Sequence, residues 1–244
     1  MLFKKTERDT LAFGKYPSYR KYDLYVERYH SAAKFIQNKF SDTDEEIKIL
    51  DIGCGDGALK YFFDEYTNVH WDGIEIDEER FEICKKLGYN MHLLDVDEKP
   101  LPFADNSFDA VNASHVIEHL KNMPNALKEI QRVTKPGGII AIGVPIKLPL
   151  LSLLRGWTYD IEFKIGKRKK GAHCQAFDVL SLRYKLKKYM PDTKIKDLRG
   201  FRLITGRQFF PLEDYKWFYT FYTTIGRILS FMTPEVNVIL EKRS

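Results

Sequence analysis

The run ILDIGCGDGA, Ile49 to Ala58, constrains this chain more than any other stretch: apolar residues lead into three glycines at alternate positions, Gly53, Gly55 and Gly57. The pattern predicts a strand, a tight turn and a helix start. Glycine reaches backbone angles closed to other residues, and without a side chain it lets a ligand lie directly on the main chain. A nucleotide-like ligand is the first expectation. Gly53, Gly55 and Ala58 also satisfy the G-x-G-x-x-G/A spacing of dinucleotide-binding folds, so the glycines alone do not choose among ligands.

Two acids narrow the choice. Asp51 stands at the end of an apolar, buried-looking strand, where a carboxylate is costly unless a donor or a cation such as a sulfonium or ammonium group meets it. Glu75 lies near the carboxyl end of the next strand, VHWDGIEI, at about the ~20-residue interval that brings an acid to ribose hydroxyls in nucleotide folds. Asp77, two residues on, reads instead as the N-cap of the helix EERFEICKKL.

Four segments in order, LDIGCGDG, GIEID, LPFADNSFDAV and KEIQRVTKPGGIIAIGVP, resemble the class I S-adenosylmethionine-dependent methyltransferases of the type-11 domain group over roughly residues 45 to 145. The resemblance implies a Rossmann-like α/β fold: a seven-stranded, mostly parallel sheet with helices on both faces and an antiparallel last strand. It implies S-adenosylmethionine as cofactor, with Asp51, Gly53 and Gly55 at its methionine part, Glu75 at the ribose, and Cys54 and Ile76 among the residues that border it. The adenine is expected near Asp95, Val96 and Asp97. Either Asp95 or Asp97 can be the adenine-facing acid, and Asp95, directly after the apolar run, is the first choice. Ser114 and His115 follow the fourth strand, at the methyl-donor end. Methyl transfer then needs alignment of a nucleophile with the methyl carbon, and a base only if that nucleophile carries a proton. His173, His119 and His115 are the candidate bases, because imidazole accepts a proton near neutral pH; each has a plain alternative as a packing, capping or loop residue. His173, in GAHCQAF, lies where related enzymes resemble this chain in having a His followed by an aromatic at the edge of the acceptor site.

The stretch HVIEH, His115 to His119, also matches H-x-x-E-H, a zinc motif in which the two histidines would share a helix face. A metallopeptidase needs a third ligand placed by a helical context, whereas this motif follows a predicted strand, FDAVNAS. No metal is expected.

The breakers divide the chain into an N-terminal helical lid, 1–44, a cofactor-binding core, 45–145, and a C-terminal part of the same domain with acceptor-site insertions, 146–244. Tyr22 to Phe40 reads as a helix by its 3.6-residue period, and Tyr16, Tyr19 and Tyr22 are candidate lid residues. From Ile47 to Val144 strands and helices alternate, which argues for a parallel sheet wound with helices. A helix is expected from about Asp178 to Tyr189, then strands in DTKIKDLRGFRLI and EVNVILEKR flanking an aromatic insertion, Phe209 to Met232.

Charge is uneven: residues 151–244 hold 19 Lys or Arg against 9 Asp or Glu, net +10, while the first 150 residues carry net −5. The densest runs are Lys164 to Lys170 and Arg183 to Lys188. The expected acceptor is a small molecule, a sugar or a lipid-linked precursor; an anionic one fits this excess, and so does a solvated surface, while a nucleic-acid partner is not expected. The aromatic insertion reads either as a helix packed on the sheet, the favoured reading, or as a peripheral membrane contact. Three scattered cysteines read as reduced thiols, and the charged start lacks the apolar core of a secretory signal, so a cytoplasmic enzyme, free or at a membrane surface, is expected. The readings outside this class are a nicotinamide-dependent oxidoreductase and a non-catalytic cofactor-binding module. Neither the acceptor nor the oligomeric state is legible.

Overall fold

The computed structural model describes residues 27–63, 66–148, 157–158, 173–201 and 216–244. Seven strands form one sheet: β1 (Ile47–Ile52), β2 (Val69–Glu75), β3 (Asn90–Leu93), β4 (Phe108–Ser114), β5 (Thr134–Pro145), β6 (Thr193–Phe201) and β7 (Glu235–Lys242). Their order is β3-β2-β1-β4-β5-β7-β6, and only β7 runs antiparallel to its neighbours. This is the expected architecture. Strand order reverses beside β1, between β1 and β4, and the crevice outside the strands' carboxyl ends at such a switch point is where ligands bind in open α/β sheets.

Two apolar layers hold helices to the sheet. On one face α1 (Glu27–Lys39) buries Ala32, Ala33 and Ile36 against Ile49, Ala110, Ile139 and Ile239. On the other, α3 (Met123–Val133) and α4 (Val179–Tyr189) bury Leu127, Ile130, Leu182 and Leu186 against Val111, Ile140 and Val238. The intervening helix α2 (Glu78–Lys86) begins as the sequence predicts, with the Asp77 carboxylate accepting from Arg80 N at 3.0 Å. Asp178 starts α4 through a reciprocal capping box with Ser181, satisfying amides that would otherwise lack partners.

Two expectations need correction. Among the described residues, the segment after the glycine loop forms only a single 3-10 turn, Lys60–Phe63, rather than the start of an α-helix. The aromatics Tyr61, Phe62 and Phe63 pack there as a cluster with Trp71, and such bulky rings lose side-chain freedom in a regular helix. Second, the segment KEIQRVTKPGGIIAIGVP, which the resemblance reads as a helix, a turn and the fifth strand, has no separate turn: its PGG lies inside β5, whose pairing with β4 shifts register between Phe108 and Ala110.

The aromatic insertion contains α5 (Lys216–Ile228), which has two faces. Phe218 and Tyr222 are buried and stacked on each other, and Gly226 lets the helix approach so closely that a Cβ there would stand 2.2 Å from Gly200 O on β6. Trp217, Phe221 and Ile228 face outward and are more than half exposed. Among the described residues no helix is long and apolar enough to cross a membrane. The basic run Lys164 to Lys170 and the tyrosines Tyr16, Tyr19 and Tyr22 lie outside the described residues.

Candidate functional site

The carboxyl ends of β1, β2, β3 and β4 bring the predicted residues to one edge of the sheet. After β1 the chain turns through Gly53 and Gly55, both in the left-handed region at φ 62° and 57°, with Gly53 N and Cys54 N donating to Ile74 O at 2.8 and 3.2 Å. Cys54 is buried behind this turn. The loop is fastened to β2 by Glu75: its Oε2 accepts from Gly55 N at 2.9 Å, and its Oε1 accepts from Ile76 N and Asp77 N at 2.8 and 3.1 Å. One buried carboxylate thus fixes both the glycine turn and the start of the β2–α2 loop. Ile76, beside it, is about half exposed.

Asp51 is 2 % exposed and turned into the protein. The partners that satisfy it are neutral: Asn112 Nδ2 donates to Oδ1 at 2.7 Å and Tyr89 Oη to Oδ2 at 3.2 Å. Of the donor or cation expected to meet it, the chain itself supplies donors, an amide and a phenol on β4 and ahead of β3 that sequence reasoning did not single out. Burial, outweighing these two hydrogen bonds and helped by the nearby Glu75 charge, pushes the Asp51 carboxyl up to about 7. Ser114 extends the same network by donating to Asn112 Oδ1 at 2.9 Å.

The two acids after β3 differ in their commitments. Asp97 accepts from Lys121 N and Asn122 N at 3.0 and 2.6 Å, tying its loop to the entrance of α3. Asp95 accepts from Asp97 N through Oδ1 at 2.9 Å. Beside them a cavity of about 270 Å³ has a mixed lining, with Ile52, Val96, Val116 and Ile117 among its apolar residues and Asp97 and Asn122 among its polar ones.

The three candidate histidines converge at the β4 end. His115 has φ 57° and stands between two buried acids, its Nδ1 3.1 Å from Glu118 Oε1 and its Nε2 3.2 Å from Glu235 Oε2. Arg28 of α1 reaches the same Glu235 oxygen at 3.2 Å. Burial opposes protonation of His115, but the Glu118 and Glu235 carboxylates outweigh it and raise its pKa, so this imidazole is held toward its charged form. Glu235 and Arg28 were missed in the sequence; an acid heading the apolar strand EVNVIL carried the same signal as Asp51. His119 and His173 meet edge to face, ring centroids 4.8 Å apart. HVIEH follows a strand, as its sequence context indicated, and forms no i, i+4 helix face: Ile117–His119 is a 3-10 turn and His115 precedes it in a left-handed conformation.

Residues 50–142 match the model of a methyltransferase domain family. The chain is similar to a sterol 24-C-methyltransferase of Gibberella zeae, 33% identical over 102 residues that make 39% of this chain and 27% of that protein. It is 36% identical over 122 residues to a demethylmenaquinone methyltransferase of Staphylococcus haemolyticus, 48% of this chain and 50% of that one. Among solved structures it resembles a putative sarcosine dimethylglycine methyltransferase from Galdieria sulphuraria, with TM-score 0.60 and 15% identity over 90% of this chain and 85% of that one. The chain spans between about a quarter and a half of the length of the curated relatives it matches.

Proposed function

We propose, from a core that is a class I S-adenosylmethionine-dependent methyltransferase domain, that the chain transfers a methyl group from this cofactor to a small, apolar acceptor. When bound, S-adenosylmethionine supplies an electrophilic methyl carbon on a cationic sulfur. The observation that carries the reading is the alignment of Gly55, Glu75, Asp95 and His115 at the ends of successive strands, around the switch point of the sheet.

The residues present fit the cofactor. A Cβ built on Gly55 would meet nothing nearer than Gly53 O at 3.9 Å, so the main chain there is open to a ligand lying against it. In this reading Gly53, Cys54 and Gly55 run under the methionine part, Glu75 accepts from the ribose hydroxyls, and Ile76 and Val96 border the adenine. Asp51 acts through its negative field when ionised, and Ser114 holds the Asn112 amide that steadies it. Gly55→Val is expected to abolish cofactor binding while the chain stays folded, because a β-branched residue in the left-handed region costs roughly 1–2 kcal/mol and its methyls would enter the ligand's space. Calorimetry finding wild-type affinity in that variant would remove the cofactor from this turn.

Asp95, close after the end of β3, is the proposed adenine-facing acid, while Asp97 ties its loop to the entrance of α3. Asp95→Ala should weaken cofactor binding at an unchanged melting temperature. Asp97→Ala should lower the melting temperature, by the loss of about 0.5–1.5 kcal/mol, because water can replace the acceptor of these two exposed amides. The reverse pattern would exchange their roles.

His119 and His173 face the acceptor side and are the proposed proton acceptors for a nucleophile that must lose a proton; His115, held toward its charged form, orients its neighbours and lines the cofactor's donor end. An apolar, lipid-like acceptor is supported by the exposed Trp217, Phe221 and Ile228 of α5 and by the sterol and menaquinone precursors in the relatives' names. An anionic group on it, or contact with an anionic membrane surface, is supported by the net +10 of residues 151–244. The test is release of S-adenosylhomocysteine by purified protein across sterol-like, quinone-like and anionic lipid-linked acceptors, at low and high salt. Turnover confined to polar, uncharged acceptors would overturn this assignment of acceptor class.

A further inference from the structure

We infer that Glu118, His119 and His173 form a divalent transition-metal site at the acceptor side of the crevice. In the metal-bound state this replaces the proton-accepting role given to the two histidines above, because a ligating imidazole nitrogen has no lone pair left for a proton. One ligand atom from each lies within 4.8 Å of the other two. Two imidazoles and one carboxylate suit zinc and its neighbours, with coordination positions left over for water or an acceptor oxygen. Ligands about 2.1 Å from a tetrahedral ion stand roughly 3.4 Å apart, so closing the site needs shifts of under about 1 Å per ligand. Side-chain rotation supplies this.

The second observation is the state of the ligands. Glu118 is fully buried, and neither of its carboxylate oxygens receives a well-directed hydrogen bond; His119 Nδ1 is likewise buried without a hydrogen-bond partner. His115 Nδ1 and His119 Nε2 stand 3.1 and 3.9 Å from Glu118 Oε1, while Oε2 has no donor among the described residues, so a cation at this point would complete the compensation that a buried carboxylate needs. His115 approaches Glu118 Oε1 at 3.1 Å and is itself steadied by Glu235. That is the kind of outer partner that orients a ligating carboxylate.

The third ligand that the sequence motif lacked comes from a distant segment. Cys174 N and Gln175 N both donate to Glu118 O, at 2.6 and 2.9 Å, and Gln175 Nε2 reaches Leu120 O at 3.3 Å. These bonds clamp the residues after His173 onto the 3-10 turn that carries Glu118 and His119. The backbone therefore presents His173 to the pair before any metal arrives, which lowers the ordering cost of binding.

The test is metal binding itself, which does not depend on methyl transfer. Purified full-length protein, stripped with chelator and dialysed against excess zinc, should retain one zinc per chain by elemental analysis, and cobalt should give a visible ligand-field spectrum. His119→Ala and His173→Ala should each weaken zinc binding about 100-fold or more and erase that spectrum, with unchanged far-ultraviolet circular dichroism. Glu118→Gln should do the same if it folds; His173, on a partly exposed segment, keeps the test open if it does not. Cys174→Ser should bind zinc as the wild type does. Wild-type protein without stoichiometric zinc, undiminished binding in His119→Ala and His173→Ala, or loss of binding in Cys174→Ser would overturn the assignment. Zinc binding with no methyl transfer would sustain this inference while defeating the functional reading above.

Discussion

Glu75→Ala is expected to cost the chain both stability and cofactor. Three backbone amides, those of Gly55, Ile76 and Asp77, converge on this one carboxylate, which is 5 % exposed. Removing it leaves buried donors unpaired, and the expected loss is about 2–4 kcal/mol of unfolding free energy, since each orphaned group costs roughly 1–3 kcal/mol and neighbours are not additive. The glycine turn would loosen with it. Cofactor affinity should fall by about 1–3 kcal/mol, or roughly five- to 150-fold, the range for lost charge-assisted hydrogen bonds. Denaturant titration measures the first effect and calorimetry the second. A variant with normal stability and weakened binding would make Glu75 purely a ribose ligand; one with normal binding would move the ribose to Asp77.

Asp51 provides the second large effect, and its sign is opposite to that of an ordinary salt-bridged acid. Burial pushes its carboxyl up to about 7 in the folded chain, against about 3.9 when unfolded. The folded state therefore holds a proton that the unfolded state releases, and its stability should rise as pH falls from about 7 towards 4, by up to roughly 4 kcal/mol from this group alone. Asp51→Asn keeps the oxygen that accepts from Asn112 and can donate to the Tyr89 hydroxyl, so it should flatten that dependence and stabilise the ligand-free chain at pH 8. The cationic cofactor favours the ionised carboxylate, so its affinity should tighten from pH 6 to pH 8 in the wild type and change much less in Asp51→Asn. Denaturant titrations across pH, with calorimetry in two buffers of different ionisation enthalpy, check both halves. Wild-type affinity independent of pH, or an Asn variant as pH-sensitive as the wild type, would contradict this role.

The parts of this fold that the sequence disclosed are those written in local periodicity. Strands β1, β2 and β4, the cap at Asp77 and the helix beginning at Asp178 each depend on residues close in the chain. The residues it hid are brought together over long separations. Tyr89 and Asn112 meet Asp51 across 38 and 61 positions, Glu235 meets His115 across 120, and nothing local to any of them announces the partner. HVIEH shows the same limit from the other side: its spacing is that of a helix-face motif, but after a left-handed His115 both histidines lie against Glu118 Oε1, at 3.1 and 3.9 Å, and His173 joins them from a distant segment. The glycine loop was recognised while the segment after it was misjudged, since bulky aromatics at 61–63 favour packing against Trp71 over a regular helix.

The central claim is that the edge built by Gly55, Glu75 and Asp95 receives S-adenosylmethionine. Calorimetric titration of the wild-type chain with S-adenosylmethionine and, separately, with NAD tests it most directly. The account predicts saturable binding of one S-adenosylmethionine per chain, weakened in Glu75→Ala, and no binding of NAD. Binding of NAD in its place, or no binding of S-adenosylmethionine by the folded wild-type chain, would contradict it.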